Sequence, residues 1–495
     1  MTALATGTAV AATGTGPSTT VQPYVLPIAD GVDTTSLLTV GNLNADDGYR
    51  MVGIPDGLGA YRDGEDLIVL ENQELPEAAG TVRRHGQKGA FVSRFVIDPA
   101  TGRVKSGSDL IAPGVQYWDY PAGTYAAAPV RPADATTGHS AAFTRFCSGS
   151  LTFPGQLLHG SKGYDGQLYF ANEESGDEGR AFGVTIDGQA YQLPRLGLFS
   201  WENTLAADTR TDATVVLGNE DGGNGQLRVY SGTKVQDGSP VDKAGLTNGS
   251  LSVINVPTFK DARSSLAWGK GNTRPFELSG IDWNQGGARQ NAEAAAVGTT
   301  LNRIEDGHFD PKNRNDYYFL TTEGGSTTPD PTTPSNASRD GGGLWRLSFK
   351  NIEKPELGGT LTLLLDGTEA PYLNKPDNMT IDESGNLLIQ EDPGGNAHLA
   401  RILAYRISDG SLTPLARFDS ALFATGAPGF ITRDEESSGI IELSPGKFLF
   451  DAQVHAPSGD PETVEKGQLL TMTVDWDKVY GDNGHDDDHD DDHDD

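Results

Sequence analysis

Residues 375–395 read KPDNMTIDESGNLLIQEDPGG. A short apolar run is followed by a Ser-Gly turn and a second run of large apolar residues, the pattern of a β-hairpin. An acid, Asp377, follows proline at the start, and two more, Glu391 and Asp392, close the end. The same grammar returns as IPDGLGAYRDGEDLIVLENQE (54–74) and RIEDGHFDPKNRNDYYFLTTEGG (303–325). Weaker copies are GQLLHGSKGYDGQLYFANEESG (155–176) and EESSGIIELSPGKFLFDAQVH (435–455). One hairpin cannot bury its own face, but several stacked radially can, and that is the logic of a β-propeller. The acids that close equivalent hairpins would then converge on one end of a central channel. A β-sandwich accounts for the hairpins and not for the recurrent acids.

Around these copies lie further hairpins, such as FVSRFVIDPATGRV (91–104), AFGVTIDGQAYQL (181–193) and ILAYRISDGSLTPLARF (402–418). The expected fold class is therefore all-β, a propeller of about six blades occupying residues 22–480 with insertions. Residues 116–144, rich in Tyr, Pro and Ala, and the loop STTPDPTTPSN (326–336) are the expected insertions. The best helix candidate is Arg289 to Val297. Residues 1–21 are small and weakly apolar and lack a basic start; they are expected to be a flexible N-terminus outside the fold, either the remnant of an export signal or a mis-called start. Residues 481–495 end in HDDDHDDDHDD and are expected to form a disordered tail that binds divalent ions weakly.

Composition narrows the function. The 495 residues carry a formal net charge of −32, and eight of the 69 acids lie in the last eleven residues. Such a surface repels phosphate backbones, which excludes nucleic acid as an expected partner, and it suits hard divalent cations. No apolar stretch is long enough to span a membrane. The single cysteine, Cys147, allows no intramolecular disulfide. A lone cysteine is most often a small buried hydrophobe. A lone acid is most often a solvated turn carboxylate. Recurrence at one blade position argues against that reading here, because facing carboxylates need counter-cations.

Taken in order, the motifs resemble those of the PhoX family of calcium- and iron-dependent secreted alkaline phosphatases, over about residues 50–457. The motifs are PDGLGAY with ENQE, FCSGSL with NEES, LGLFSWEN, LNRIEDGHFDP with FLTTEGG, LNKPDNMTIDESGNLLIQED, and EESSG with FLFDAQVHAP. The sequence departs from the family pattern at Gln73, Trp201 and Ile304, and it lacks the family's Trp-rich stretch after the cysteine. The resemblance implies Ca²⁺ and Fe³⁺ as cofactors, with Cys147, Glu174, Glu202, Glu305, Asp377 and Glu436 as metal ligands. Glu220 or Asp221 would be a further one; the alignment leaves both open. Arg303 matches the arginine that would grip phosphoryl oxygens, and Glu305 acts beside it in catalysis. It further implies a secreted, periplasmic or cell-surface enzyme acting on a small phosphoester, expected as a monomer. The alternatives are a calcium-dependent propeller lactonase or esterase, and a non-catalytic, calcium-stabilised surface or matrix propeller.

Overall fold

The computed structural model describes residues 12–324, 341–395 and 398–481. The chain is almost entirely β, in a propeller arrangement. Six strands are innermost: Pro55–Asp63, Phe146–Leu151, Trp201–Ala206, Ile304–Phe309, Pro376–Ile381 and Glu435–Ser444. Each touches the next, and the last touches the first, so they close a ring around a channel. Outward from each, three more strands add in antiparallel order. The third and fourth units merge into one nine-stranded sheet through Thr273–Ile281. The sixth unit takes its outermost four-strand member from the N-terminal side of the chain, Val32–Thr39, paired with Glu465–Val474. That pairing joins the two ends of the chain, so opening the ring would break a full ladder.

The repeat pattern of the sequence maps onto the first two strands of four units, at 54–74, 303–325, 375–395 and 435–455. The copy at 155–176 is different. Its inner strand is Phe146–Leu151, which carries Cys147, and residues 158–163 form only a two-residue-per-side side hairpin. The missing sixth copy is Trp201–Ala206 with Ala213–Glu220, whose connection, ADTRTD, lacks the Gly turn present at 54–74, 375–395 and 435–455.

The N-terminal expectation needs correcting. Thr13–Thr15 pairs parallel to Val32–Thr39, and Ser18 and Thr19 are buried. The fold therefore begins well before Val21. The 116–144 insertion carries a small hairpin, Tyr117–Asp119 with Thr124–Ala126, bridged to the outer strand of the second unit at Tyr191. The helix expected from Arg289 runs Gly287–Val297. The 326–336 loop and the terminal His/Asp run lie outside the described residues.

Apolar residues fill the spaces between adjacent units. Leu449 and Leu469 of the sixth unit pack with Leu58, Val69 and Phe95 of the first, all nearly fully buried. Each such side chain contributes roughly 1.5–3 kcal/mol through removal from water.

Candidate metal centre

In five of the six inner strands the pairing register shifts immediately after the first residue, between Pro55 and Leu58, Phe146 and Gly149, Trp201 and Thr204, Ile304 and Gly307, and Pro376 and Met379. In the sixth the shift comes later, after Ser438. A β-bulge frees one residue from the ladder and re-aims its side chain. The second residue of each inner strand is Asp56, Cys147, Glu202, Glu305, Asp377 and Glu436. All six line a single cavity of about 130 Å³.

A second row comes from the returning strands. Because the hairpins are antiparallel, the start of the inner strand and the end of its partner share one mouth. The backbone carbonyls of Ile54, Arg145, Ser200, Arg303, Lys375 and Asp434 accept the N–H of Glu74, Glu174, Asp221, Thr322, Asp392 and His455 respectively. One bond thus recurs in every unit, and all of the second row except Thr322 line the same cavity. Ile54, Arg145, Arg303 and Lys375 hold a positive φ, 40° to 56°. Non-glycine residues in that region are uncommon and strained, and they concentrate at functional sites.

The bulges leave carbonyls without ladder partners, and amide side chains from neighbouring units supply them. Asn72 Nδ2 donates to the Cys147 carbonyl (2.6 Å), and Gln390 Nε2 donates to that of Ser438 (3.3 Å). Asn219 Nδ2 donates likewise to the Glu305 carbonyl. Deeper in the channel a hydroxyl–amide chain spans it. Ser438 Oγ lies 2.9 Å from Asp56 Oδ1 and 3.0 Å from Asn378 Oδ1, with its one proton to offer between them. Asn378 Nδ2 donates to Ser148 Oγ (2.5 Å), which donates to Glu202 Oε1 (2.7 Å). The Cys147 thiol donates to Glu202 Oε2 at 3.2 Å.

The electrostatics are one-sided. Nine carboxylates and a thiol line the cavity, against the guanidiniums of Arg145 and Arg303 and the imidazole of His455. Burial first, and then neighbouring acids, hold Asp56, Glu202, Asp377 and Glu436 well above the usual carboxylate range. Glu305 is raised by burial although Arg303 opposes the shift. The Cys147 thiol is pushed up by burial and by Asp56, Glu202, Glu74 and Glu174. Arg303 is held above its usual value, chiefly by Glu305. His455 is raised to about 8: burial opposes its charge, but its Nδ1 pairs with Glu465 Oε2 at 2.8 Å.

These residues fit a cluster of cations. Three groups bring ligand atoms within 4.8 Å of one another: Asp56 with Glu74 and Cys147; Glu202 with Glu305 and Asp377; Asp377 with Asp392 and Glu436. Both carboxylate oxygens of Glu305 are buried and make no hydrogen bond, and the Arg303 guanidinium 3.2 Å from Oε1 is shared with Asp221. One shared guanidinium does not offset the acids packed around it, so the site calls for further cations. The oxygen-rich donor set suits hard ions, and the thiolate adds a softer ligand.

Of the residues singled out from sequence, Cys147, Glu174, Glu202, Asp221, Arg303, Glu305, Asp377 and Glu436 come together here. Glu220 does not line the cavity. Its carboxylate pairs with the buried Arg228 and accepts from Gln226 N at 2.8 Å. Sequence reasoning counted Glu74 and Asp392 among the hairpin-closing acids without making them ligands, and it gave no role to Asp56, Arg145 or His455. Asp56 was detectable, since PDG repeats the acid-after-proline of KPDN, and Glu74 and Asp392 close hairpins as Glu174 does. Nothing in the repeat marks Arg145, and His455 closes its copy with an imidazole where the 54–74 copy has an acid.

Residues 184–437, just over half of the chain, match the family model described as alkaline phosphatase PhoX. No curated protein sequence matches. Among solved structures, Pseudomonas fluorescens PhoX in complex with vanadate, a transition state analogue, is similar with a TM-score of 0.64 and 12% identity, covering 93% of this chain and 97% of that one. A GH43_1 enzyme from Xanthomonas citri aligns over 90% of both chains at 9% identity, with a TM-score of 0.33. The WD40 domain of SCAP from fission yeast covers 91% of this chain and 99% of its own at 8% identity, with a TM-score of 0.29. The fold comparison rests on the first of these.

Proposed function

The chain belongs to the PhoX family of alkaline phosphatases and is a phosphoric ester hydrolase; we propose that it hydrolyses small phosphate esters at a calcium and iron cluster held in the channel mouth. The observation that carries this reading is the pair of acidic rows converging on one small cavity with far too little positive charge of its own. The second-position residues Asp56, Cys147, Glu202, Glu305, Asp377 and Glu436 would hold the ions, with Glu74, Glu174, Asp221 and Asp392 from the second row. When bound, Ca²⁺ and Fe³⁺ would neutralise these acids and supply Lewis acidity toward the phosphoryl group.

The chain's own groups bind and orient. Arg303 donates from Nε to Asp221 Oδ1 at 2.8 Å and from Nη2 to Asp221 Oδ2 at 3.3 Å, and Nη2 lies 3.2 Å from Glu305 Oε1. Two carboxylates therefore fix the plane of the guanidinium. Its remaining donors can pair with phosphoryl oxygens, where a rigid fork stabilises charge spread over the transferred group. Glu305 orients that fork while serving the cluster. The amide and hydroxyl chain from Asp56 through Ser438, Asn378 and Ser148 to Glu202 fixes two ligands on different walls, which keeps the site from collapsing.

The reading extends to export from the cytoplasm, supported by family membership. No helix among the described residues is long and apolar enough to cross a membrane. The family match does not favour a lactonase or a non-catalytic propeller. Metal analysis of the purified protein, run beside a phosphomonoester assay, tests the proposal. Calcium and iron should be present with activity and a thiolate-to-iron absorption band. Turnover by iron-free, colourless protein fully supplied with calcium would leave a calcium-only centre instead.

A further inference from the structure

Six equivalent positions precede the inner strands by one residue: Ile54, Arg145, Ser200, Arg303, Lys375 and Asp434. Two of the six are arginine, and only those two line the cavity. Their settings match. Arg145 and Arg303 have φ of 44° and 40°. Each lies two residues before a channel ligand, Cys147 and Glu305. Each is anchored through its backbone N–H, to Leu75 O at 2.9 Å and to Gly222 O at 2.8 Å.

The side chains repeat the correspondence. Arg303 docks its Nε and Nη2 edge on Asp221 and Glu305. Arg145 docks the same edge: Nε donates to Glu174 O at 3.1 Å, and Nη2 pairs with Glu174 Oε2 and, at 2.8 Å, with Glu74 Oε1. Neither Nη1 makes a hydrogen bond among the described residues. Glu305 and Glu74 are 1% and 8% exposed, whereas the two arginine side chains are 34% and 46% exposed. The guanidiniums thus form the open side of a cavity whose walls are acids. Lys375, at an equivalent position, instead donates from Nζ to Pro393 O at 3.1 Å.

We propose that Arg145 is a specificity-determining residue that completes a two-arginine clamp with Arg303 and makes the site prefer the dianionic end of a phosphate monoester over a diester. The proposal rests on the phosphatase reading. Both forks are already immobilised by carboxylates, so little rotamer entropy is lost when they meet an anion. A monoester offers three unsubstituted oxygens and two negative charges, enough for both forks. A diester offers two oxygens and one charge, and its second substituent must occupy the space before one of the arginines.

The test compares wild type with Arg145→Gln and Arg145→Lys. The readouts are hydrolysis of p-nitrophenyl phosphate and bis(p-nitrophenyl) phosphate, metal content, and calorimetric binding of inorganic phosphate. Arg145→Gln should lower monoester kcat/KM about 10- to 100-fold, mostly through KM, the scale of one charge-assisted bond. Phosphate affinity should fall by a similar factor, diester kcat/KM should stay within about twofold, and metal content should be unchanged. Arg145→Lys should recover the charge and only part of the loss. Equal losses for both esters with unchanged phosphate affinity would overturn the clamp and leave Arg145 as a brace for Glu74 and Glu174. Loss of metal in Arg145→Gln would overturn it in the same way. If wild type cleaves neither ester, yet phosphate binding depends on Arg145, the clamp stands and the phosphatase reading falls.

Discussion

The two mouths of one channel are built from the same six strands and could hardly differ more. At the start of the strands lies a cavity of about 130 Å³ walled by acids. Toward their other ends lies one of about 800 Å³ with a mixed lining, apolar at Leu58, Leu205 and Ile381 and charged with both signs at Asp310, Lys312 and Arg314. Size would point to the larger as the working site. Chemistry points to the smaller, because nine carboxylates and a thiol face one another there with only two guanidiniums and an imidazole to balance them. The contrast is sharpest between sequence neighbours. Glu305 faces the small cavity with no hydrogen bond to either oxygen. Asp306 lines the large one, and its carboxylate accepts from Asn203 Nδ2 (2.6 Å), Gly307 N (2.6 Å) and Met379 N (3.2 Å). A buried acid with its bonds filled is structure; Glu305, left with only an ion pair to Arg303 in a cavity of other acids, has room for a further cation.

The strongest way to break this contrast is Cys147→Ser. It should abolish the absorption band and the bound iron and reduce phosphatase turnover by more than about a hundredfold, since even outer-shell changes at metal sites cost 10- to 100-fold. The far-ultraviolet circular dichroism should be unchanged. Full activity with iron still bound would remove the thiolate from the centre.

Next in size is the adjacent pair Glu220 and Asp221. Glu220→Gln breaks the buried contact with Arg228 and should destabilise the fold by about 3–5 kcal/mol, read from chemical denaturation. Asp221→Asn should leave stability nearly intact while lowering activity and metal content. The reverse pattern would exchange their roles.

Asp306→Asn tests the boundary between the mouths. An amide nitrogen must then face one of three donors, so stability should fall by about 1–3 kcal/mol with metal content retained. Loss of metal would mean that the boundary lies lower than placed here. The smallest effect belongs to the wide mouth itself. Arg210→Ala, at an exposed arginine that lines it, should shift stability by no more than about 0.5 kcal/mol and leave turnover within twofold. A larger change in turnover would give the wide cavity a part in the reaction.

The hairpin grammar made the β-propeller and its acidic end legible, because turn chemistry and the period of two are local properties of a chain. KPDN, RIED and EESS placed Asp377, Glu305 and Glu436 at equivalent points without any coordinates. The choice between Glu220 and Asp221 was not local. Side chains alternate along a strand, and only the position of Arg228 on the next strand decides which acid turns inward and which is consumed by an ion pair. The inner strand at Phe146–Leu151 was similarly hidden, since a side hairpin at 158–163 separates it from its partner and imitates the repeat. Arg145 carries no repeat signal, and His455 ends its copy with an imidazole where the pattern calls for an acid. They enter the cavity because one carbonyl-to-N–H bond is made in all six units and brings whatever residues occupy its two ends to the same mouth. The sequence by itself thus determined the blades and the acids that end them. Which of those acids are satisfied and which are left facing one another was decided by the closure of the ring, because hydrogen-bond satisfaction depends on neighbours that are distant in the chain.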